Sequence, residues 1–286
     1  MPIWIAEDPI QAGRNPEQHG LRGRDFRYTE TAILTMLTLK AVFHLPLRAT
    51  AGCAAAIMRL ARIALPVPDH RTRSRRRKTL TVPLPRERRD EPLHGVVDSR
   101  GLQIYGEGEW NVRQHGYRKR RTWRKMHLGG DEATHAIVAC GVPAHPEADS
   151  TVVAQVLEQV DGPIAQVRTA GASATEGCDG AITARGAPAV MPPRADAVLK
   201  RGPEWAARTA PWERVWAMGR AAGQVATNDQ RRSRAAPAVF RLTTICGDHL
   251  RSRTTEGQQT AGAIRGAARN RMTRLGMPDT VRVNAG

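Results

Sequence analysis

Apolar residues recur along this chain first at helical and then at extended spacing, and the change of period divides it. Thr29 is placed to cap a helix, with Glu30 in its first turn. Ile33, Leu34, Leu37, Ala41 and Val42 then return at helical intervals. Pro46 opens a turn, after which Leu47, Ala51, Ala54, Ala55, Met58 and Ala61 mark a second helix. LPVPD (65–69) ends that helix, and Asp69 can cap a third, very basic segment, HRTRSRRRKTL. Two apolar helices followed by a short basic one match a helix-turn-helix pattern, and a solvated charged helix fits the spacing equally well.

The period shortens after TVPLPRERRDEP (81–92), whose prolines and charges predict a linker. Strands are predicted at Gly95–Asp98, Leu102–Tyr105, Thr122–Leu128 and His135–Val142, with GGDEAT (129–134) turning between the last two. Ser150 is expected to cap a helix carrying Val152, Val153, Val156, Leu157 and Val160. A strand at Ile164–Thr169, a small-residue helix near 175–185 and an apolar run at 187–191 follow. This order suits a mixed sheet covered by helices. Residues 192–235 are irregular, with Trp205, Trp212 and Trp216 as anchors; a last helix covers 236–246, and 250–286 reads as a basic, weakly periodic tail.

Charge narrows the function. Forty-four Lys and Arg against 27 Asp and Glu give a net +17, clustered around 71–78, 86–89, 113–125 and 231–234. Such an excess favours nucleic acid as partner over an acidic protein or a small metabolite. No cationic amphipathic helix stands out for a membrane surface, and the apolar stretch 31–65 is broken by Lys40, His44, Pro46 and Arg48. MPIWIAEDPIQAG at the start lacks the pattern of a signal peptide. Cys53, Cys140, Cys178 and Cys246 are scattered without a CxxC pair, which argues against a zinc site or disulfide framework and fits a reducing cytoplasm. Phe and Tyr number only three each, a thin aromatic supply for a core of this size.

Candidate chemistry concentrates in Val96–Leu128. Asp98 ends a short apolar run, and Arg113, Arg118, Lys119, Arg120, Arg121, Arg124 and Lys125 follow it. Val112, Tyr117, Trp123, Met126 and Leu128 between the charges indicate folded structure rather than a loose tail. A strand-end carboxylate can hold a divalent metal while neighbouring cations hold phosphates, a pairing suited to phosphodiester chemistry. A carboxylate that merely caps a turn is the plainer reading of the same residue.

Taken together these segments resemble a DDE-type bacterial insertion-sequence transposase. LTLKAVFHLPLRA (37–49) and LPVPDHRTRSRRRKTL (65–80) resemble the N-terminal DNA-binding region of that family. VVDSRGLQIYGEGEW (96–110) and HGYRKRRTWRKMHL (115–128) resemble its first catalytic strand and the segment after it, and GDHLRSRTTEGQQT (247–260) with NRMTRLGMP (270–278) its C-terminal end. The resemblance implies an α/β, ribonuclease-H-like mixed sheet with flanking helices, preceded by a small all-α helix-turn-helix-like domain. The implied organisation is a loosely ordered 1–27, a DNA-binding domain at 28–80, a linker at 81–92, the catalytic domain at 93–250 and a basic tail at 251–286. DNA contacts are expected from Arg71, Arg73, Arg75, Arg76, Arg77 and Lys78, from Arg118, Lys119, Arg120, Arg121, Arg124 and Lys125, and from Arg232. The implied partner is DNA at the element's terminal inverted repeats, in the bacterial cytoplasm on the nucleoid, with a homo-oligomer possible on DNA and no membrane.

Family members use two Asp and one Glu to hold two Mg²⁺ ions for in-line attack on phosphorus. Asp98 matches the first acid. The second, in a pattern like Gly-Asp-Gly-Ala-Tyr-Asp-Thr, falls on Ala170, and the third, in a pattern like Arg-Arg-Ser-x-Ala-Glu-Asn-Ala, falls on Ala236 beside Pro237. The supporting Tyr and Lys fall on Asp229 and Thr243. Glu176 and Asp179 follow Ala170 on the next element, and Asp248 and Glu256 lie beyond Ala236 by more than three helical turns. With metal–ligand distances tolerant to only about 0.2 Å, none is placed to substitute. The departures, which extend to Cys246, Arg269, Arg73, Gly262 and Gly266, are all A-to-C or T-to-G changes in common codons, as in a decayed gene copy or a systematic base-calling error. The resemblance therefore implies a transposase with little strand transfer, Mg²⁺ being held productively only in intact relatives. The alternative is a catalytically dead protein occupying element ends, ranked above a basic RNA-binding protein.

Overall fold

The computed structural model describes residues 28–86, 90–104, 123–143, 148–169, 175–190 and 235–276, with residues 213, 217 and 218 besides. Helix α1 (Glu30–Val42) starts where Thr29 Oγ1 accepts from the Ala32 amide at 3.2 Å. It turns through 108° into α2 (Leu47–Leu60), which Pro46 opens. Asp69 caps α3 (His70–Arg76) by accepting from the Arg71 and Thr72 amides. No single helix among the described residues is long and apolar enough to cross a membrane.

Strands β1 (Leu93–Ile104), β2 (Trp123–Asp131), β3 (Ile137–Gly141), β4 (Ile164–Thr169), β5 (Ala189–Val190) and β6 (His249–Leu250) form one sheet, with helices α4 (Asp149–Glu158), α5 (Glu176–Ala184), α6 (Ala235–Cys246) and α7 (Thr255–Arg274) between and after them. The order is β3-β2-β1-β4-β5, with β6 added beside the far end of β1. β1 is antiparallel to β2 and parallel to β4, and β4 is parallel to β5. This is the mixed sheet with flanking helices expected of a ribonuclease-H-like fold, with the helical N-terminal region before it.

Several boundaries differ from the sequence reading, and β2 runs on through Gly129, Gly130 and Asp131, where a turn was expected, because they pair with Val97, Val96 and Gly95. β1 is one strand rather than two, because Ser99, Arg100 and Gly101 keep an unbroken register with His127, Met126 and Lys125 of β2. Backbone pairing carries the strand through a polar interruption that period alone treats as a break. Helix α4 starts before Ser150: its N-cap is Ala148, without a side-chain cap bond, and Asp149 is the acid of its first turn.

Apolar residues alternate between the two faces of the sheet. Val97 and Val167 pack with Val153 and Leu157 of α4 and with Cys178 and Ile182 of α5. Leu102, Met126 and Leu128 face the other way, onto Val239 and Leu242 of α6 and onto Leu250.

The largest departure is at the C-terminus. The segment expected to be a basic tail contains α7, a twenty-residue helix capped by Thr254 and packed against β3 and α1. Its buried side carries Gln258, Thr260, Arg265, Arg269 and Asn270 beside Gly262 and Gly266, so no apolar stripe announces it. The glycines are contact points: a Cβ on Gly262 would stand 2.9 Å from Val142 and 3.0 Å from the Cys140 sulfur. A larger residue fits there only if its neighbours shift. Gly266 is nearly as close, 3.3 Å from Ile137 and 3.4 Å from Leu84.

Side-chain amides on α7 and α4 also cover the open edge of β3. Asn270 accepts from the Ile137 amide (2.8 Å) and donates to its carbonyl (2.6 Å). Gln259 accepts from Val142 N (2.6 Å) and donates to the Cys140 carbonyl (2.9 Å), and Gln159 makes a similar pair with Cys140. An unpaired strand edge is a template for pairing with another chain, and these amides occupy it. The helices of 28–80 share this core, since Ile33, Leu37 and Leu80 cluster with Ile264 of α7. The expected linker is tied down as well: Leu84 packs on Gly266, and buried Arg86 donates to the carbonyls of Pro163 and Glu91.

Candidate active site and nucleic-acid surface

Asp98 sits where β1 parts from β4. The last parallel pair is Val97 with Thr169, and Asp98 then pairs only with Leu128 of β2. Its Oδ1 accepts from the Ser99 amide at 2.8 Å, which leaves Oδ2 and the second lone pair of Oδ1 for other partners. Leu102, four residues on, and Leu128, its cross-strand partner, both belong to the face covered by α6. Asp98 is therefore placed, half-buried, on the α6 side of the sheet.

Ala170 lies outside the described residues, immediately after Thr169. Ala236 lies in the first turn of α6, one turn before Val239. Pro237 is the third residue of that helix over its described range. Thr243 turns its hydroxyl back onto its own helix, donating to the Phe240 carbonyl (2.9 Å) and the Val239 carbonyl (3.2 Å).

The alternative acids go elsewhere. Glu176 and Asp179 open α5, which packs on the opposite face of the sheet from α6. Asp248 is exposed and contacts the His249 ring, and Glu256 stands in the first turn of α7. Among the described residues no three His, Cys, Asp or Glu side chains gather as a metal-binding group.

The cations divide into three kinds. Arg71, Arg75 and Lys78 are exposed along α3 and just beyond it, while Arg76 is half-buried and donates to the Tyr28 carbonyl at 3.0 Å. Arg73 is fully buried, which removes it from the expected DNA-contacting set: its guanidinium donates to the Leu47 and Asp69 carbonyls and has one unpartnered nitrogen. Burial lowers its pKa, with Asp69 partly opposing that shift. On β2, Arg124 donates to the Pro143 carbonyl at 3.3 Å, and Lys125 grips both carboxylate oxygens of Asp149 at 2.7 and 2.6 Å. That ion pair stands beside His127, whose pKa is lowered to about 4 by burial and by Lys125, with Asp149 opposing them. Arg118, Lys119, Arg120, Arg121 and Arg232 lie outside the described residues. A third group, Lys40, Arg251 and Arg265, was not singled out from the sequence because its members are scattered.

A family model described as a transposase DDE domain matches residues 89–271, well over half of the chain. The chain belongs to the DDE transposase family. A second model of the same description matches residues 1–107 and so takes in the N-terminal helices. DDE transposases are in general dependent on divalent metal. By the sequence resemblance the second and third acids fall on alanines, whose methyl groups offer no ligand atom, and among the described residues no metal-binding group gathers, so the donors described do not fit a two-metal centre.

Proposed function

We propose that this chain is an insertion-sequence transposase by descent that has lost strand cleavage and transfer and retains binding to the ends of its element. The observation that carries the reading is Asp98. It occupies the end of the β1–β4 pairing, on the face that α6 covers, without a carboxylate at either Ala170 or Ala236. Each metal of a catalytic pair needs several hard oxygen ligands, and one carboxylate cannot supply them. In this reading 28–80 supplies DNA contacts through Arg71, Arg75 and Lys78 of the α3 region, and 93–250 is the catalytic domain. The shared core of α1 and α7 makes residues 255–274 part of the folded unit rather than a separate tail.

The test uses the purified full chain and a labelled duplex carrying the inverted repeat that flanks the gene. With Mg²⁺ or Mn²⁺, neither nicking nor joining is expected, and metal-dependent cleavage at the element end would overturn the loss of activity. Gel-shift competition against unrelated duplex tests the other half: preference for the repeat supports end binding. Equal competition that collapses with salt would reduce it to polycation binding. Replacing Ala170→Asp together with Ala236→Glu is expected not to restore cleavage, because Thr243 still stands at the family's supporting lysine.

A further inference from the structure

Between α1, the turn after β6 and α7 lies a cleft of about 340 Å³, lined by side chains from four separate segments. Lys40 enters from α1, Arg77 from the end of α3, Arg251 from beyond β6 and Arg265 from α7, and no carboxylate is among the lining residues. His44 and His249 also line it, as does the Thr260 side chain. Asp248, whose charge acts on Arg265, is exposed and turned against His249.

Four cations converging on one cleft repel one another unless an anion joins them. Arg265 is held in place by donating to the Gly247 carbonyl (3.1 Å) and the His249 carbonyl. Arg251 is oriented by the His44 carbonyl at 3.0 Å. Arg77 Nε is buried and has no hydrogen-bond partner among the described residues, an unmet donor at the cleft. The electrostatics agree: burial first, then Arg251, Arg265, Arg77 and Arg73, lowers the Lys40 amine to about 8.

We propose that this cleft binds a phosphate group, held by Lys40, Arg77, Arg251 and Arg265. Guanidinium groups meet phosphate oxygens through paired N–H donors and an ammonium meets them as a point charge, so the set suits a tetrahedral phosphate oxyanion. The phosphate is either a backbone phosphate of DNA or a free phosphate, and both are held by the same donors. The site joins the N-terminal helices to α7, so its occupant would hold the two parts of the chain together.

The experiment is titration of the full chain with inorganic phosphate and with pyrophosphate, at ionic strength held constant with chloride, read by calorimetry and thermal denaturation. Saturable binding with a rise in Tm is expected. Lys40→Gln and, separately, the exposed Arg251→Gln should each weaken it about tenfold or more, as loss of a charge-assisted contact does. Lys40→Gln should also raise the Tm of the anion-free protein, since it relieves repulsion; that rise also shows that the variant is folded. Arg59→Gln, exposed on α2 and outside the cleft, should leave phosphate affinity unchanged. A duplex that displaces pyrophosphate identifies a DNA phosphate as the occupant, and binding that a duplex does not displace identifies a free phosphate; either result supports the site. Absence of saturable binding to folded protein, or equal binding by both cleft variants and the parent, overturns it. The phosphate measurement needs no DNA, so it can fail or succeed independently of end binding.

Discussion

Arg269→Leu should stabilise this protein, against the usual direction for a core substitution. Arg269 lies on α7, is 2% exposed, and has its Nε buried without a partner. Nη1 donates to the His135 carbonyl and, at 3.4 Å, to Asn270 Oδ1. Among the described residues no carboxylate offsets the charge: burial lowers its pKa and Arg241 lowers it further. A guanidinium stays protonated under these conditions, so the charge itself is buried. Leucine removes one unsatisfied N–H, about 1–3 kcal/mol, and adds apolar burial, about 1.5–3 kcal/mol. Against that stands the lost charge-assisted bond to His135, about 1.5–3 kcal/mol. The balance is a gain of about 2 kcal/mol, which for a chain of this size is a Tm increase of several degrees. Urea denaturation and thermal melting of the parent, Arg269→Leu and Arg269→Met measure it. A lower midpoint for both variants would refute the reasoning and show that the His135 contact outweighs the buried charge. A gain would also fit the idea that arginine replaced leucine here during decay of the gene.

Acid should destabilise the fold through His127: its folded pKa, about 4, lies below the ordinary 6.5, so the unfolded chain binds more protons between those values. The associated stability, about 3 kcal/mol, is present above pH 6.5 and is lost as pH falls toward 4; an equally steep acid limb in His127→Leu would sink this account. Gly262→Ala should cost about 1–3 kcal/mol because its Cβ meets Val142 and Cys140, whereas Gly180→Ala, with open space around it on α5, should gain about 0.5–1 kcal/mol by helix propensity. Denaturant midpoints that move in the same direction for both glycines would contradict the packing described for α7. For DNA binding, Arg75→Ala should reduce the salt slope of affinity by about one, while Arg73→Ala should leave the slope unchanged and lower stability instead; a slope change for Arg73→Ala would mean that its guanidinium reaches phosphate.

Much of the fold was legible because local chemistry agreed with the final structure. Thr29 and Asp69 cap α1 and α3 as their sequence positions indicate, and the apolar runs at 137–141 and 164–169 become strands buried among helices. Reading failed where partners lie far away in sequence. Ser99–Gly101 has no strand period, and only β2 opposite makes it strand. Helix α7 lacks an apolar stripe because its buried side serves other needs: glycines for close approach, Gln259 and Asn270 for the edge of β3, and Arg265 for the carbonyls near β6.

The family, the place of Asp98 and the alanines at 170 and 236 are properties of residue identity, and the sequence by itself determined them. Identity also settles that methyl groups cannot ligate a metal, whatever the fold around them. Only the tertiary structure decided which arginines face solvent. Arg73 and Arg75 are two residues apart in one basic run, yet one is sealed beneath the N-terminal helices and the other is exposed. Burial depends on what packs against a residue, and here the packing comes from α1 and α2. The same long-range packing brings Lys40, Arg77, Arg251 and Arg265 around one cleft, a convergence that no local period encodes.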